Sequence, residues 1–474
     1  MAGGSDMLDD HDDDDMQTEA PEVAEEGSYR LDRRAVQAIR DAVEAGDAAQ
    51  LTELMEPLHP ADIADLLEQI SSADRADLIR LYGLEFDGDI LSELDESIRE
   101  EVIAQLSPDV LADAVRDLES DDVVDLLEDL DEPRHGAILD ALEDADRVAV
   151  QQALSYPEYS AGRLMQREVV AAPEHWTVGD AIDYLRGSDD LPDQFYHMVL
   201  VNPRMHPVGN VTLGKIMRSS REVKLTEIVE DVFQIIPATQ DEGDVAYAFN
   251  QYHLISAPVV DEDERLVGVI TIDDAMAVLD EEHEEDILRL AGVSEESSLA
   301  DTIFEAAKGR AVWLFVNLLT AILASLVINI YADTIDQMVA LAVLMPIVAS
   351  MGGNAGTQTM TVAVRAIATR DLTAQNAMRV VGRELSVGAL NGAAFGLLMA
   401  FVAGLWFGVP MLAAVIGLAM LLTQVAAALG GIVIPMLLDR MKIDPALASG
   451  PFVTTITDVV GFFAFLGLAA AVLL

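Results

Sequence analysis

The chain of 474 residues contains no cysteine, which excludes disulfides and thiol catalysis while saying little about compartment. It is also short of basic residues. Only 28 Lys and Arg stand against 83 Asp and Glu, a formal charge of −55. Such a chain repels phosphates, so nucleic acid is excluded as a partner. The shortage is uneven: residues 301–474 carry eight basic and nine acidic residues, whereas residues 1–300 hold a net −54. A very acidic polar part is therefore followed by an almost neutral apolar part. Acidity on that scale has two sources, a salt-adapted solvated surface or dedicated cation sites. The polar N-terminus does not read as a cleaved signal peptide.

The third scarcity is acid inside the apolar part. Five apolar spans are expected, at 311–331, 338–362, 385–408, 411–438 and 446–474, each long enough to cross a bilayer as a helix. Asp458 is the one carboxylate these bounds enclose. An acid at that depth is costly, and its usual use is a pathway for ions or protons. Asp458 is expected to face a narrow, water-containing pore and attract a divalent cation. The alternative is a buried Asp capped by the hydroxyls of Thr454, Thr455 and Thr457. Lys and Arg precede span one and lie between spans two and three and between four and five. None lies in YADTIDQ (331–337) or FGVP (407–410). This predicts a cytoplasmic N-terminal part and an extracellular C-terminus, a multi-pass protein of the cell membrane. Small and polar residues crowd parts of the spans. Gly352, Gly353 and Gly356 would admit a close helix, and Asn354, Thr357 and Gln358 could bond between helices. Pro346, Pro435 and Pro451 suggest helices broken at a cavity.

Residues 1–28, with HDDDD, read as a disordered acidic tail. Over 29–160 an internal repeat appears: Leu58, Ile70, Tyr82, Leu94, Leu106, Leu118, Leu130, Leu142 and Leu154 fall twelve apart. Each unit opens on Ser, Asp or Pro, suited to a helix N-terminus, and continues as about two turns of one-faced helix. Helices so short are not stable alone. Stacked, they form an α-solenoid-like N domain; a right-handed bundle is the alternative. Neither offers catalytic chemistry.

From 161 to 279 short β-rich runs alternate with amphipathic helices. FYHMVLVNPRMHPVGNVTLGKI aligns with HLISAPVVDEDERLVGVITIDDAM. The two copies resemble an α/β tandem pair of CBS domains, at 161–222 and 223–279. In that family a Gly-x-x-Thr-x-x-Asp pattern can hold the ribose of an adenine nucleotide such as ATP. Gly268, Thr271 and Asp274 fit it, whereas the first copy has Gly209, Thr212 and Lys215. A pair serving only as dimer contact and hinge is the competing view. Residues 280–309 connect to the membrane. The acid-rich helix DDAMAVLDEEHEEDILRLAGV runs into them, with Met276, Leu279, Ile287 and Leu290 on one face; a plain solvated linker is its alternative.

PIVASMGGNAGTQT, GRELSVGALNG and DPALASGPFVTTITDVVGF, in this order of modules, resemble the MgtE family of magnesium channels. The resemblance covers nearly the whole chain after residue 30. It implies a multi-domain membrane protein with a five-helix transmembrane domain at 310–474. It further implies a homodimer whose pore runs between the two fifth spans, and it matches the family's pore aspartate to Asp458. The ligands of the family's plug helix match Glu282, Glu285 and Asp286, and an acid at the cytoplasmic mouth matches Asp444. Asp241 and Asp274 match regulatory magnesium positions in the CBS pair, and Glu101 one in the N domain. A further acid expected there falls near Pro133–Arg134, and Gly450 stands where the family commonly has a polar residue.

Magnesium holds its water tightly and binds few carboxylates directly. Thr454, one turn from Asp458, and carbonyls near Gly450 and Pro451 would bond the ion's waters, selecting it by pore width. Three rivals stand against a channel. One is a transporter coupled to protons or sodium through Asp458. A second is an intramembrane aspartyl protease, which needs two facing acids. The third is a membrane-tethered nucleotide sensor without a pore.

Overall fold

The structure, a computed structural model, describes residues 31–473 apart from 32, 84–85, 117, 129, 131, 189–190, 193 and 294–302. The expected acidic tail and part of the connecting segment lie outside the described residues. The chain forms two compact units. One comprises residues up to Gln240 with Ser256–Ile270, the other Asp241–Ile255 with Thr271 onward.

In the first unit, α1 (Arg33–Ala45) and α2 (Ala48–Met55) lead into a helical series. Helices α3 (Pro60–Gln69), α4 (Ser72–Tyr82), α6 (Glu96–Gln105), α7 (Pro108–Arg116), α8 (Ser120–Glu128), α9 (Glu132–Ala141) and α10 (Asp144–Ala153) keep the twelve-residue step. Only α5 (Asp89–Ser92) departs from it. The marker residues lie between helices, except Tyr82, which ends α4; Ile70, Tyr82, Leu94, Leu106, Leu130 and Leu142 are buried. Leu58, Leu118 and Leu154 pack against the same core, which is continuous from Ile39 to Ala153. Starts are fixed locally: Ser71 Oγ accepts from the Asp74 N–H at 3.2 Å, the N-cap arrangement that satisfies an orphan donor.

Packing doubles the expected period. α4 packs on α6, α7 on α9 and α8 on α10, so the structural unit is a pair of successive helices rather than one. Two buried arginines follow it. Arg75 Nε donates to the Leu67 carbonyl at 2.8 Å and its guanidinium pairs with Glu101. Arg99, two repeats on, bonds the Leu94 carbonyl at 3.1 Å and pairs with Asp125 at 2.6 Å. Each bonds a carbonyl of the chain leading into its own helix, Leu67 at the end of α3 and Leu94 in the turn after α5, and joins an acid on the helix two repeats ahead.

After α11 (Ala161–Leu164), two small three-stranded sheets repeat one plan. In the first, β1 (Ala171–Pro173) runs parallel to β2 (His197–Val201), which pairs antiparallel with β3 (Pro207–Thr212). The second orders β4 (Ile236–Pro237), β5 (Ser256–Val260) and β6 (Leu266–Thr271) alike. Helices α12 (Val178–Gly187) and α13 (Leu213–Arg218) flank the first copy. His197 and Ser256 open β2 and β5, and they bond each other at 2.7 Å, as a duplicated pair about a local two-fold would.

The second unit holds α14 (Glu242–Tyr252) and α15 (Ile272–Ala291), followed by α16 (Ile303–Ile330) and the short α17 (Ala332–Gln337). Then come α18 (Ala340–Ala368), α19 (Ala377–Phe407), α20 (Pro410–Arg440) and α21 (Pro445–Val472). Among the described residues, five helices are long and apolar enough to cross a membrane: α16 and α18 to α21. Their number matches expectation, but their ends do not. α19 begins well before the apolar run, because helical hydrogen bonding does not stop where charges begin. α18, α20 and α21 also continue through Pro346, Pro435 and Pro451 rather than breaking there. α18, α20 and α21 meet through small residues. A side chain at Gly431 would strike the Gly356 carbonyl at 2.7 Å, so the backbones touch.

Candidate functional site

Asp458 lies in the middle of α21 and is half-buried. The capping expected as the bland alternative is not made. Thr455 Oγ1 donates to the Pro451 carbonyl at 2.6 Å and Thr457 Oγ1 to the Thr454 carbonyl at 2.9 Å. Neither reaches Asp458, and Thr454 is exposed. Among the described residues the Asp458 carboxylate has no hydrogen-bond or ionic partner. Two turns earlier, Gly450 has open space where a side chain would stand.

Two expectations about the spans need correction. Among the described residues Asn354, Thr357 and Gln358 make no bond between helices; all three are exposed on one face of α18. The bond joining α18 and α20 comes instead from Gln424, whose Nε2 donates to the Met351 carbonyl at 3.3 Å. Nor is Asp458 the only acid within a long apolar helix. Glu384, expected just ahead of span three, is inside α19 and only 8% exposed. It too lacks a hydrogen-bond or ionic partner among the described residues.

The start of α21 is the second focus. Asp444 is its N-cap, with Oδ1 accepting the Ala446 N–H at 2.7 Å, ahead of Pro445 at the first helical position. Asp444 Oδ2 faces α15, where Arg289 Nη1 meets it at 3.0 Å. Arg289 also holds Glu285 at 2.9 Å, one helical turn away. Leu290 beside it packs with Met360, Val364, Ala446 and Val453. Glu282, two turns before Arg289 on α15, lies over the N-terminus of α14; a side chain at Gly243 would strike its Oε1 at 2.7 Å. Burial, and then the Asp286 charge, push the Glu282 carboxyl up. Burial and then Asp444 push Asp286 up. Asp241, the N-cap of α14, adds to the same field.

Four of the expected regulatory acids, Asp241, Glu282, Asp286 and Asp444, are thus within electrostatic reach of one another. They do not converge as a direct cage: among the described residues no three His, Asp or Glu side chains stand close enough to hold one metal ion. The remaining expected residues also have protein partners, as Asp444 has in Arg289. Glu285 is held by Arg289. Glu101 is held by Arg75 and by Ser72 Oγ at 2.6 Å. Thr271 and Asp274 form the capping box that starts α15, and burial pushes the Asp274 carboxyl up to about 6. Gly268 is fixed by packing, since a side chain there would strike the Gln166 carbonyl at 2.6 Å. Thr212 and Lys215 of the first CBS copy are taken by Glu230, which accepts from Thr212 Oγ1 (2.9 Å) and pairs with Lys215 Nζ (3.1 Å). The acid anticipated near Pro133–Arg134 concerns side chains outside the described ones.

Sequence reasoning missed Arg289. Its signal was there: it is the one base in EEHEEDILRLAG, one helical turn beyond Glu285. It missed Glu384 because a charge at the edge of an apolar run reads as the end of the buried helix, whereas α19 begins earlier.

Residues 345–468 match the family described as a divalent cation transporter, MgtE. Residues 58–159 match the MgtE intracellular N domain, and 161–222 and 225–281 match CBS domains. The magnesium transporter MgtE of Bacillus subtilis strain 168 is 31% identical over 323 residues, 68% of this chain and 72% of that one. The chain belongs to the MgtE family of magnesium transporters. The MgtE of Thermus thermophilus is 32% identical over 333 residues, 69% of this chain and 73% of its own. Among solved structures, the cytosolic domain of the Mg2+ channel MgtE in complex with ATP is similar at 27% identity and a TM-score of 0.48. It covers 51% of this chain and 99% of its own. MgtE relatives are transporters, not enzymes, so the protease rival falls with the family assignment.

Proposed function

We propose that the protein is a passive magnesium channel of the cell membrane, closed by cytosolic magnesium at the acids around Asp444. The observation that carries the reading is Asp458, a carboxylate inside a spanning helix with no partner among the described residues. A homodimer with α21 on its two-fold axis gives that charge a counterpart and a pore of net −2. Magnesium sheds water reluctantly. Thr454 and the carbonyls near Gly450 and Pro451 then bond its waters, and the space at Gly450 leaves width for the hydrated ion. The membrane potential favours influx of a divalent ion by about 4.6 kcal/mol per 100 mV.

The N-terminal modules and the mouth lie in the cytoplasm in this reading, by the distribution of basic residues, and the C-terminus lies outside. The carboxylates of Asp241, Glu282, Asp286 and Asp444 form an oxygen-only donor set. That set suits a hard cation that keeps much of its water and bridges acids too far apart for direct ligation. Bound there, magnesium adds to the single positive charge of Arg289, and an ion that prefers the docked form shifts the population toward it. Asp274 and Glu101 would each have to release a protein partner of their own, whereas Glu285 and Asp444 share one partner, Arg289. An adenine nucleotide at Gly268, Thr271 and Asp274 would likewise have to draw Asp274 from its capping role.

One observation favours a second reading. Glu384 is another acid without a partner among the described residues in a spanning helix, as coupled transport by protons or sodium would use. Liposome uptake separates the two. Wild-type flux should persist with proton and sodium gradients collapsed. Asp458→Ala should lower it roughly a hundredfold, the factor for about 3 kcal/mol of lost stabilisation. Undiminished flux through Asp458→Ala overturns the pore assignment, and flux that stops with the gradients establishes coupling.

A further inference from the structure

The cytoplasmic loop expected between the second and third membrane helices makes a contact that ion conduction does not use. Arg370 follows α18, and its guanidinium pairs with Asp244 in the first turn of α14. The same guanidinium lies 4.1 Å over the ring centroid of Tyr247, one turn further along that helix. A charged and a π contact on one face of α14 orient a planar cation better than either alone.

The loop is built to present this side chain. Leu372 N–H bonds the Ala366 carbonyl at 2.7 Å, Thr373 N–H bonds Asn376 Oδ1 at 2.9 Å, and Asn376 Nδ2 bonds the Asp371 carbonyl at 2.7 Å. Arg370 itself has φ +58°, the left-handed position past a helix end that Gly or Asn usually fills. An arginine there carries backbone strain that glycine would not. The side chain therefore has a use that outweighs the local preference.

We infer that α14 is a docking surface for the α18–α19 loop, and that Arg370 ties the α14–α15 pair to the membrane helices at a second point, separate from the acidic mouth. The first point is the contact of Arg289 and Leu290 with the start of α21. One attachment leaves a helix pair free to pivot; two fix its direction. Both attachments occur in this one structure with α15 seated on α21, so the clasp belongs to the seated form and favours closure. This inference rests on the proposed closure by magnesium.

The test is magnesium inhibition of flux by the full chain in liposomes. Arg370→Glu and Asp244→Arg should each raise the half-closing magnesium concentration about threefold to tenfold, as loss of a half-exposed ion pair and a cation–π contact implies. The double exchange Asp244→Arg/Arg370→Glu should return it to near the wild-type value. Arg370→Gly should raise it as well while easing the backbone, which separates loss of the clasp from misfolding. Unchanged thresholds in the single variants, or a double variant no better than they are, overturn the inference. If wild-type flux ignores magnesium altogether, closure itself fails, and cross-linking then decides the contact. Because the chain has no cysteine, Asp244→Cys/Arg370→Cys carries the only thiols. A short bis-maleimide should join them, and failure to do so overturns the clasp.

Discussion

The N-terminal helical series and the membrane helices are both helix packings, yet they solve opposite problems. In the series, short helices bury large aliphatic side chains such as Leu66, Leu67, Leu126 and Leu127, and inward-facing arginines are matched by acids. In the membrane unit, α18, α20 and α21 approach through Gly352, Gly356, Gly431 and threonines, while Asp458 and Glu384 stay unmatched among the described residues. Water accounts for the difference. It drives apolar volume together and makes a surface acid cheap. Lipid gives helices no hydrophobic drive toward each other and makes an acid expensive. The same carboxylate is background in one half and information in the other.

The largest expected effects test the packing side of this contrast with opposite steric changes. Adding volume should break the membrane unit. In Gly431→Leu the new side chain meets the Gly356 carbonyl at 2.7 Å and Thr359 Cβ at 2.8 Å, forcing α18 and α20 apart. Removing volume should break the series: Leu127 is fully buried, and Leu127→Ala should cost about 3 kcal/mol. Thermal unfolding with probes in each half reads both. If Gly431→Leu were as stable as wild type, small-residue contact would not be what holds α18 to α20.

How much of this was legible in advance follows the same division. The twelve-residue step was visible because a helix turn has a fixed length, and the helix starts at 60, 72, 96, 108, 120, 132 and 144 keep it. The doubled, two-helix unit was not, because it arises from which helices touch, and Arg75 and Glu101 stand on helices two repeats apart. Asp458 was legible as a lone charge in an apolar run, and it stands without a partner among the described residues. Glu384 was not, since an acid at the edge of such a run can lie in or out of the helix interface. Arg289 and Arg370 act across tertiary contacts with Asp444 and Asp244, which no local pattern encodes.

A smaller effect probes an acid between the two extremes. Asp274 is outside the lipid-spanning helices but buried, with its carboxyl at about 6 against an ordinary 3.8. Between those two values the folded form binds a proton that the unfolded form does not. Stability at the start of α15 is therefore highest below about pH 4 and falls as pH rises through 6. The total is on the order of 2 to 3 kcal/mol. Hydrogen exchange in the first turn of α15, in chelator, should show local opening growing easier from pH 5 to 7. Asp274→Asn should flatten that slope. A slope of the opposite sign would mean that the Thr271 hydrogen bonds to the carboxylate outweigh its burial.

The smallest expected effect is the sharpest check on the contrast, because it asks whether an acid in water is dispensable. Asp77 pairs with Arg80 at 2.8 Å on the exposed face of α4, with side chains 55% and 73% exposed. Exposed pairs one turn apart contribute little, because solvent screens the attraction and two long side chains must be held still. Asp77→Asn should therefore change the urea midpoint by the equivalent of less than about 0.5 kcal/mol and leave flux untouched. It removes one of 83 acids, just as Asp458→Ala does. If the two replacements proved comparable in flux, total charge rather than position would govern the protein, and the acids of its two halves would not differ in kind.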